Sequence, residues 1–180
     1  MTINPQNIGI ISFGITEVNS SNWLKQVNNC NFFNRVYYFF NEGIMCETAD
    51  RVIAFKPGYF YVLPSNISLK FFYANENVSA NHFYIDFAIT EMFFKEKIFE
   101  IPLKSSLYLK KYLDFIISYL VEHSISTITY WNKKNERSDA QIIYSTIQSV
   151  LSTLIILFCE NTDMMSDNNY SLGAVINYIQ

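Results

Sequence analysis

Places where residue types and spacing together could do chemistry are scarce in this 180-residue chain, and the clearest are two short apolar stretches. In His82-Phe83-Tyr84-Ile85-Asp86-Phe87 polar and apolar residues alternate. Successive side chains of an extended strand point to opposite faces, so His82, Tyr84 and Asp86 share one face and Phe83, Ile85 and Phe87 the other. Arg35-Val36-Tyr37-Tyr38-Phe39 brings Arg35 and Tyr37 together in the same way. An imidazole, two phenols, a carboxylate and a guanidinium can hold a polar ligand by ring stacking and charge-assisted hydrogen bonds. Turned into a barrel they must be hydrogen-bonded to one another or to a ligand; turned outward they are ordinary surface residues. Alternation leaves both readings open, as it does for Tyr59 and Tyr61. The candidate ligand-binding set is Arg35, Tyr37, His82, Tyr84 and Asp86.

Little else points to catalysis. There are two histidines, His82 and His123, and no Gly-rich phosphate loop, HExxH or GxSxG motif. Glu91 and Glu96 alternate with Lys95 and Lys97, which suits a solvated turn. A metal site in a small barrel asks for two or three histidines plus a carboxylate, so neither a metal, a cofactor nor a catalytic residue is expected. Cys30, Cys46 and Cys159 are odd in number and lack CxxC spacing, as idle thiols would be. A net charge of -3 argues against nucleic-acid binding by this chain's own field. Polar residues interrupt every apolar run before the roughly 20 residues of a membrane span, and Met1 to Ile15 does not resemble an export signal, so a soluble, cytoplasmic protein is expected.

The elements that must position these groups change character near residue 104. Before it lie strand-like runs at Ile8–Ile15, Arg35–Phe40, Val52–Phe55, Tyr59–Leu63, Ile67–Tyr73 and His82–Ile89. Turn residues separate them: Asn41-Glu42-Gly43, read as a hairpin turn, Lys56-Pro57-Gly58 and Pro64-Ser65-Asn66. After it, Leu109, Tyr112, Leu113, Ile116, Ile117 and Leu120 recur at helical spacing up to His123. A second helix is predicted from Ser138, capped with Gln141, and is apolar over more than one stripe. Its second dry face is either the chain's own layers or a second copy; Ile143, Ile147, Val150, Leu151, Leu154 and Phe158 are the candidate dimerisation residues. Residues 161–170 read as a linker, and Leu172, Val175, Ile176 and Ile179 open a further helix. The expected fold is mainly β with C-terminal α-helices, a barrel over residues 1–103 followed by an antiparallel helix pair over 104–160.

Arg35-Val-Tyr-Tyr-Phe-Phe-Asn-Glu-Gly43, Phe55-Lys-Pro-Gly58, Tyr59-Phe-Tyr-Val-Leu-Pro-Ser65 and Phe83-Tyr-Ile-Asp-Phe87, in that order, resemble the N-terminal sensor domain of AraC-type bacterial transcription regulators. The resemblance implies a cupin-like barrel for a small effector such as a sugar, and helices through which two chains dimerise. It also implies that DNA is bound only by a C-terminal helix-turn-helix module, of which residues 171–180 look like the first helix. By position, Tyr84 falls where the family often sets an aromatic against the effector, Asp86 where many members have His, and Arg35 where Arg is common. Ile67-Ser-Leu-Lys70 departs from the family, many of whose members have a His there. The alternative is a stand-alone cupin-type enzyme such as a metal-dependent sugar isomerase.

Overall fold

The computed structural model describes residues 8–18, 29–30, 32–75, 79–89, 97–129 and 138–161. Two antiparallel sheets face each other, and two helices cover the outer face of the larger one. The strands are β1 (Ile8–Val18), β2 (Asn29–Cys30), β3 (Asn34–Phe39), β4 (Ile44–Glu47), β5 (Val52–Ala54), β6 (Tyr59–Leu63), β7 (Ser68–Tyr73), β8 (Ala80–Ile89), β9 (Phe99–Pro102) and β10 (Thr127–Thr129). The helices are α1 (Leu107–Glu122) and α2 (Ser138–Asn161). The larger sheet has the order β10-β1-β8-β3-β6-β9, the smaller β2-β7-β4-β5.

All six predicted strands are present, but the turns between them do something other than expected. Asn41-Glu42-Gly43 is not a hairpin turn: β3 lies in the larger sheet and β4 in the smaller, so the turn carries the chain across the sandwich. Lys56-Pro57-Gly58 and Pro64-Ser65-Asn66 cross back and forth in the same way, with Gly58 at φ 85° and Asn66 at φ 61° supplying the left-handed residue each corner needs. The real hairpin joins β4 to β5, where Thr48 bonds Asp50 and the Arg51 carbonyl.

Because the larger sheet is covered on both faces, its strands bury both. Val36, Phe60, Val62, Phe83, Ile85 and Phe87 face the helices, while Tyr37, Phe39, Tyr61, Leu63 and His82 face the smaller sheet. In β1 the register slips between Ile10 and Ser12, leaving Ile11 unpaired and exposed. That bulge changes which residues face inward: Ile8 and Ile10 before it, and Phe13 after it, all reach the helix layer, and Ser12 turns between the sheets.

Ile143, Ile147, Val150, Leu151 and Leu154 lie in the core shared by α1, α2 and the sheet, and Phe158 meets Phe99 edge-on at 4.2 Å. These six residues, read above as a dimerisation face, are filled positions of the chain's own interior. The core runs unbroken from sheet to helices, and β10, within the stretch assigned to the helices alone, belongs to the sheet. Gln141–Glu160 is also long and apolar enough to cross a membrane by length and composition, contrary to the expectation above, because Ser and Thr interrupt the run without adding charge. The proposed Ser138–Gln141 cap, the linker and the last helix fall outside the residues whose side chains are described.

Leu154→Ala should destabilise the monomer by about 3 kcal/mol through lost transfer energy and a residual cavity. Urea denaturation would show this as a lower midpoint that does not vary with protein concentration, whereas an interface residue would make it vary.

Candidate functional site

One row across the larger sheet holds the charged groups. Ser12 pairs with Asp86, and Asp86 with Arg35, so β1, β8 and β3 present all three side chains toward the smaller sheet. Of the two faces that alternation left open, Asp86 takes the inward one, and its carboxylate is nearly fully used. Arg35 Nε donates to Oδ1 at 2.5 Å, Arg35 Nη2 to Oδ2 at 2.9 Å, and Ser12 Oγ to Oδ2 at 2.8 Å. This forked pairing fixes the guanidinium in plane as well as in place. Arg35 Nη1 donates to the Tyr37 hydroxyl at 2.9 Å. Three of the five guanidinium N–H groups are thus engaged, and the side chain stays 20% exposed against 7% for Asp86.

Aromatic rings frame that cation. The guanidinium carbon lies 5.3 Å from the Phe33 ring centre, 5.4 Å from Tyr37 and 5.6 Å from Tyr84. Tyr84, in the next row, also meets Thr127 of β10, hydroxyl to hydroxyl, at 3.0 Å. Burial opposes charge on Arg35, but Tyr37 and Asp86 outweigh it and the guanidinium is held protonated above its usual range. Burial raises the Tyr37 hydroxyl, against the pull of Arg35.

His82 occupies a different setting, two residues deeper than Tyr84. Its ring sits edge-on to Tyr37 at 4.9 Å and against Phe39 at 5.2 Å, and 2% of the residue is exposed. Burial, reinforced by the Arg35 charge, pushes its pKa down to about 3, so it stays neutral through the physiological range. Beyond it the sandwich is closed by rings: Phe39 stacks on Phe55 at 4.7 Å, and Phe55 meets Tyr61 at 4.6 Å. Tyr61 holds the Lys56 corner, accepting from the Lys56 amide at 2.8 Å. The candidate site is therefore a polar mouth on a packed interior. One inward position past Asp86, Ala88 is already exposed.

Arg35, Tyr37, Tyr84 and Asp86 come together in space, whereas His82 joins the aromatic interior. Ser12, Phe33 and Thr127 were missed. Ser12 is a lone hydroxyl in an apolar run, and only the bulge, invisible in the sequence, aims it at Asp86. Two open grooves lie elsewhere. One of about 570 Å³ is bounded by Tyr59, Pro102, Leu103 and Leu107, the other of about 260 Å³ by Ile15, Leu120, Ser124 and Ile125. Among the described residues no group of three or more His, Cys, Asp or Glu could hold a metal ion. Cys46 is a free thiol, and burial pushes it up to about 12, with Glu47 adding to it.

No protein-family model matches the chain, and no curated protein does. Among solved structures, the crystal structure of the AraC-like transcriptional activator CuxR is similar over 87% of this chain and 54% of that one, with a TM-score of 0.38 and 10% identity. This chain spans about half the length of that protein.

Two outcomes follow from the geometry. Asp86→Ala, which strands a mostly buried guanidinium, should lower stability by about 3 kcal/mol, and Asp86→Leu combined with Arg35→Met should recover much of that loss; equilibrium unfolding of the three proteins checks it. Unfolded His82 takes up a proton near pH 6.5 while the folded ring does so only near 3, so stability falls as the pH drops between those values. From pH 7 to 5 this contribution is about 2 kcal/mol, and His82→Leu should lack it when urea midpoints are compared at the two pH values.

Proposed function

We propose that the chain is the effector-sensing and dimerisation domain of an AraC-type bacterial transcription regulator, acting without catalysis in the cytoplasm. The observation that carries the reading is the guanidinium of Arg35. It is oriented by Asp86 and Tyr37, ringed by three aromatics, partly open to solvent, and left with two N–H donors to give. That is a mouth for an oxygen-bearing effector: hydroxyls or a carboxylate take the spare donors, and Tyr84 offers a ring face and a hydroxyl. The ordered sequence resemblance supports the family, with a cupin-like sandwich as the sensor and DNA contacted through a C-terminal domain.

Dimerisation, on this reading, uses the outward face of α2, opposite the six buried residues. No charged residue occurs from Gln141 to Cys159, which is unusual for a helix face left in water. On that face Thr146, Ser149 and Thr153 turn their hydroxyls back onto carbonyls four residues earlier, at 2.8, 2.9 and 2.8 Å, and present a low, uncharged surface to a second copy.

Thermal-shift assays against sugars and small carboxylic acids test the sensor. A ligand at about 100 times its Kd should add about 2.7 kcal/mol of stability, and Arg35→Met should abolish the response. Stoichiometric bound iron, manganese or zinc in the purified protein would instead favour the cupin-type isomerase. For the interface, sedimentation should show a dimer that Ser145→Lys with Ser149→Lys converts to a folded monomer.

A further inference from the structure

The mouth and the helices share one small element. β10 lies on the connection between α1 and α2, and it is the edge strand beside β1. Its three residues pair with Ser12, Phe13 and Gly14, the stretch of β1 that aims Ser12 at Asp86. Thr127 also meets the Tyr84 hydroxyl, so backbone and side chain of β10 attach to the two neighbouring rows that build the mouth.

The contact at Gly14 is very close. A β-carbon there would overlap the Ser126 carbonyl oxygen and come within 2.9 Å of Thr127 Cα. Only glycine admits the strand at that distance, and the Ile15 amide donates to the same Ser126 carbonyl at 2.9 Å.

The other end is joined rigidly to α1. Ser124 takes φ 52°, its amide donates to the Val121 carbonyl at 3.1 Å, and the Ile125 amide donates to the Leu120 carbonyl at 2.8 Å. This is the Schellman cap, here with serine at the left-handed position that glycine usually takes. Leu120 is buried in the helix–sheet core, and Ile125 packs against that core. Between the cap and the Tyr84 bond there is no slack: residues 125 and 126 are each fixed by a backbone bond.

We propose that β10 is a strap coupling the polar mouth to α1, so that changes at Tyr84 are passed through Thr127 and the Schellman cap to the end of α1. The effector depends on the sensor reading above, but the coupling does not. A ligand that engages the Tyr84 hydroxyl alters the Thr127 bond, and the strap's seating shifts by the difference in affinity between the two arrangements.

Amide hydrogen exchange on the full chain, with no ligand added, tests the coupling. Tyr84→Phe and Thr127→Val remove opposite halves of one bond. Each should speed exchange about fivefold at residues 126–129 and at the last turn of α1. The double variant should add nothing further, because both changes break the same bond. Gly14→Ala should give a larger effect at the same places. Ile53→Val, in the smaller sheet, is the control for general loosening. Unchanged exchange in 126–129, or an increase there that leaves the last turn of α1 untouched, overturns the proposal, as does an equal pattern in the control. If Gly14→Ala does not fold, the two hydroxyl variants still decide. A failed ligand screen leaves these results standing, and a failed strap leaves the ligand screen standing.

Discussion

A carboxylate placed between two sheets is tolerable only if its charge is answered on the spot, and the architecture around Asp86 is arranged to do that. Arg35 must lie directly across from it on β3 and Ser12 directly across on β1, so the registers of both neighbours of β8 are tied to one residue. Slipping either strand by one position would turn every side chain to the other face and leave a buried charge unpaired. The bulge in β1 belongs to the same constraint. It lets one strand bury Ile8 and Ile10 on one side and Phe13 on the other against the helices, around a point where it delivers a hydroxyl inward.

The fold could be read from the sequence wherever the pattern was local. Six strands, β1, β3, β5, β6, β7 and β8, and both helices stood out by period, and Gly58 and Asn66 marked corners by residue type. What could not be read was which layer each strand joins. Asn41-Glu42-Gly43 has hairpin chemistry but serves as a crossing, since turn residues specify a change of direction and not the partner reached. The short strands β4, β9 and β10 carry no alternation long enough to detect, and they are held by neighbours distant in sequence.

The site followed the same division. Alternation put Tyr84 and Asp86 on one face and matched Arg35 with Tyr37, yet it could not tell that His82, in phase with them, lies among rings two residues deeper. Depth along a strand is set by where the second sheet ends. Nor could helical period separate the apolar residues of α2 that fill the chain's own core from those on its outer side. Both are apolar, and the distinction lies in how closely the sheet and α1 approach. The thinner signal on the same helix, an absence of charge on its outer side, could be interpreted only once the inner side was known.

The order in which the strands pair also bears on how the chain is made. Among the described strands β1 comes first along the chain, and both of its neighbours, β8 and β10, come much later; its nearest partner in sequence begins at Ala80, opposite Val18. Emerging from the ribosome, Ile8–Ile15 is an isoleucine-rich segment with two open edges and nothing to pair with until the centre of the larger sheet has appeared. Such a segment is a template for wrong partners at high concentration. Yield of soluble protein should therefore depend on the rate of synthesis through residues 18–89 more than on the stability of the finished domain.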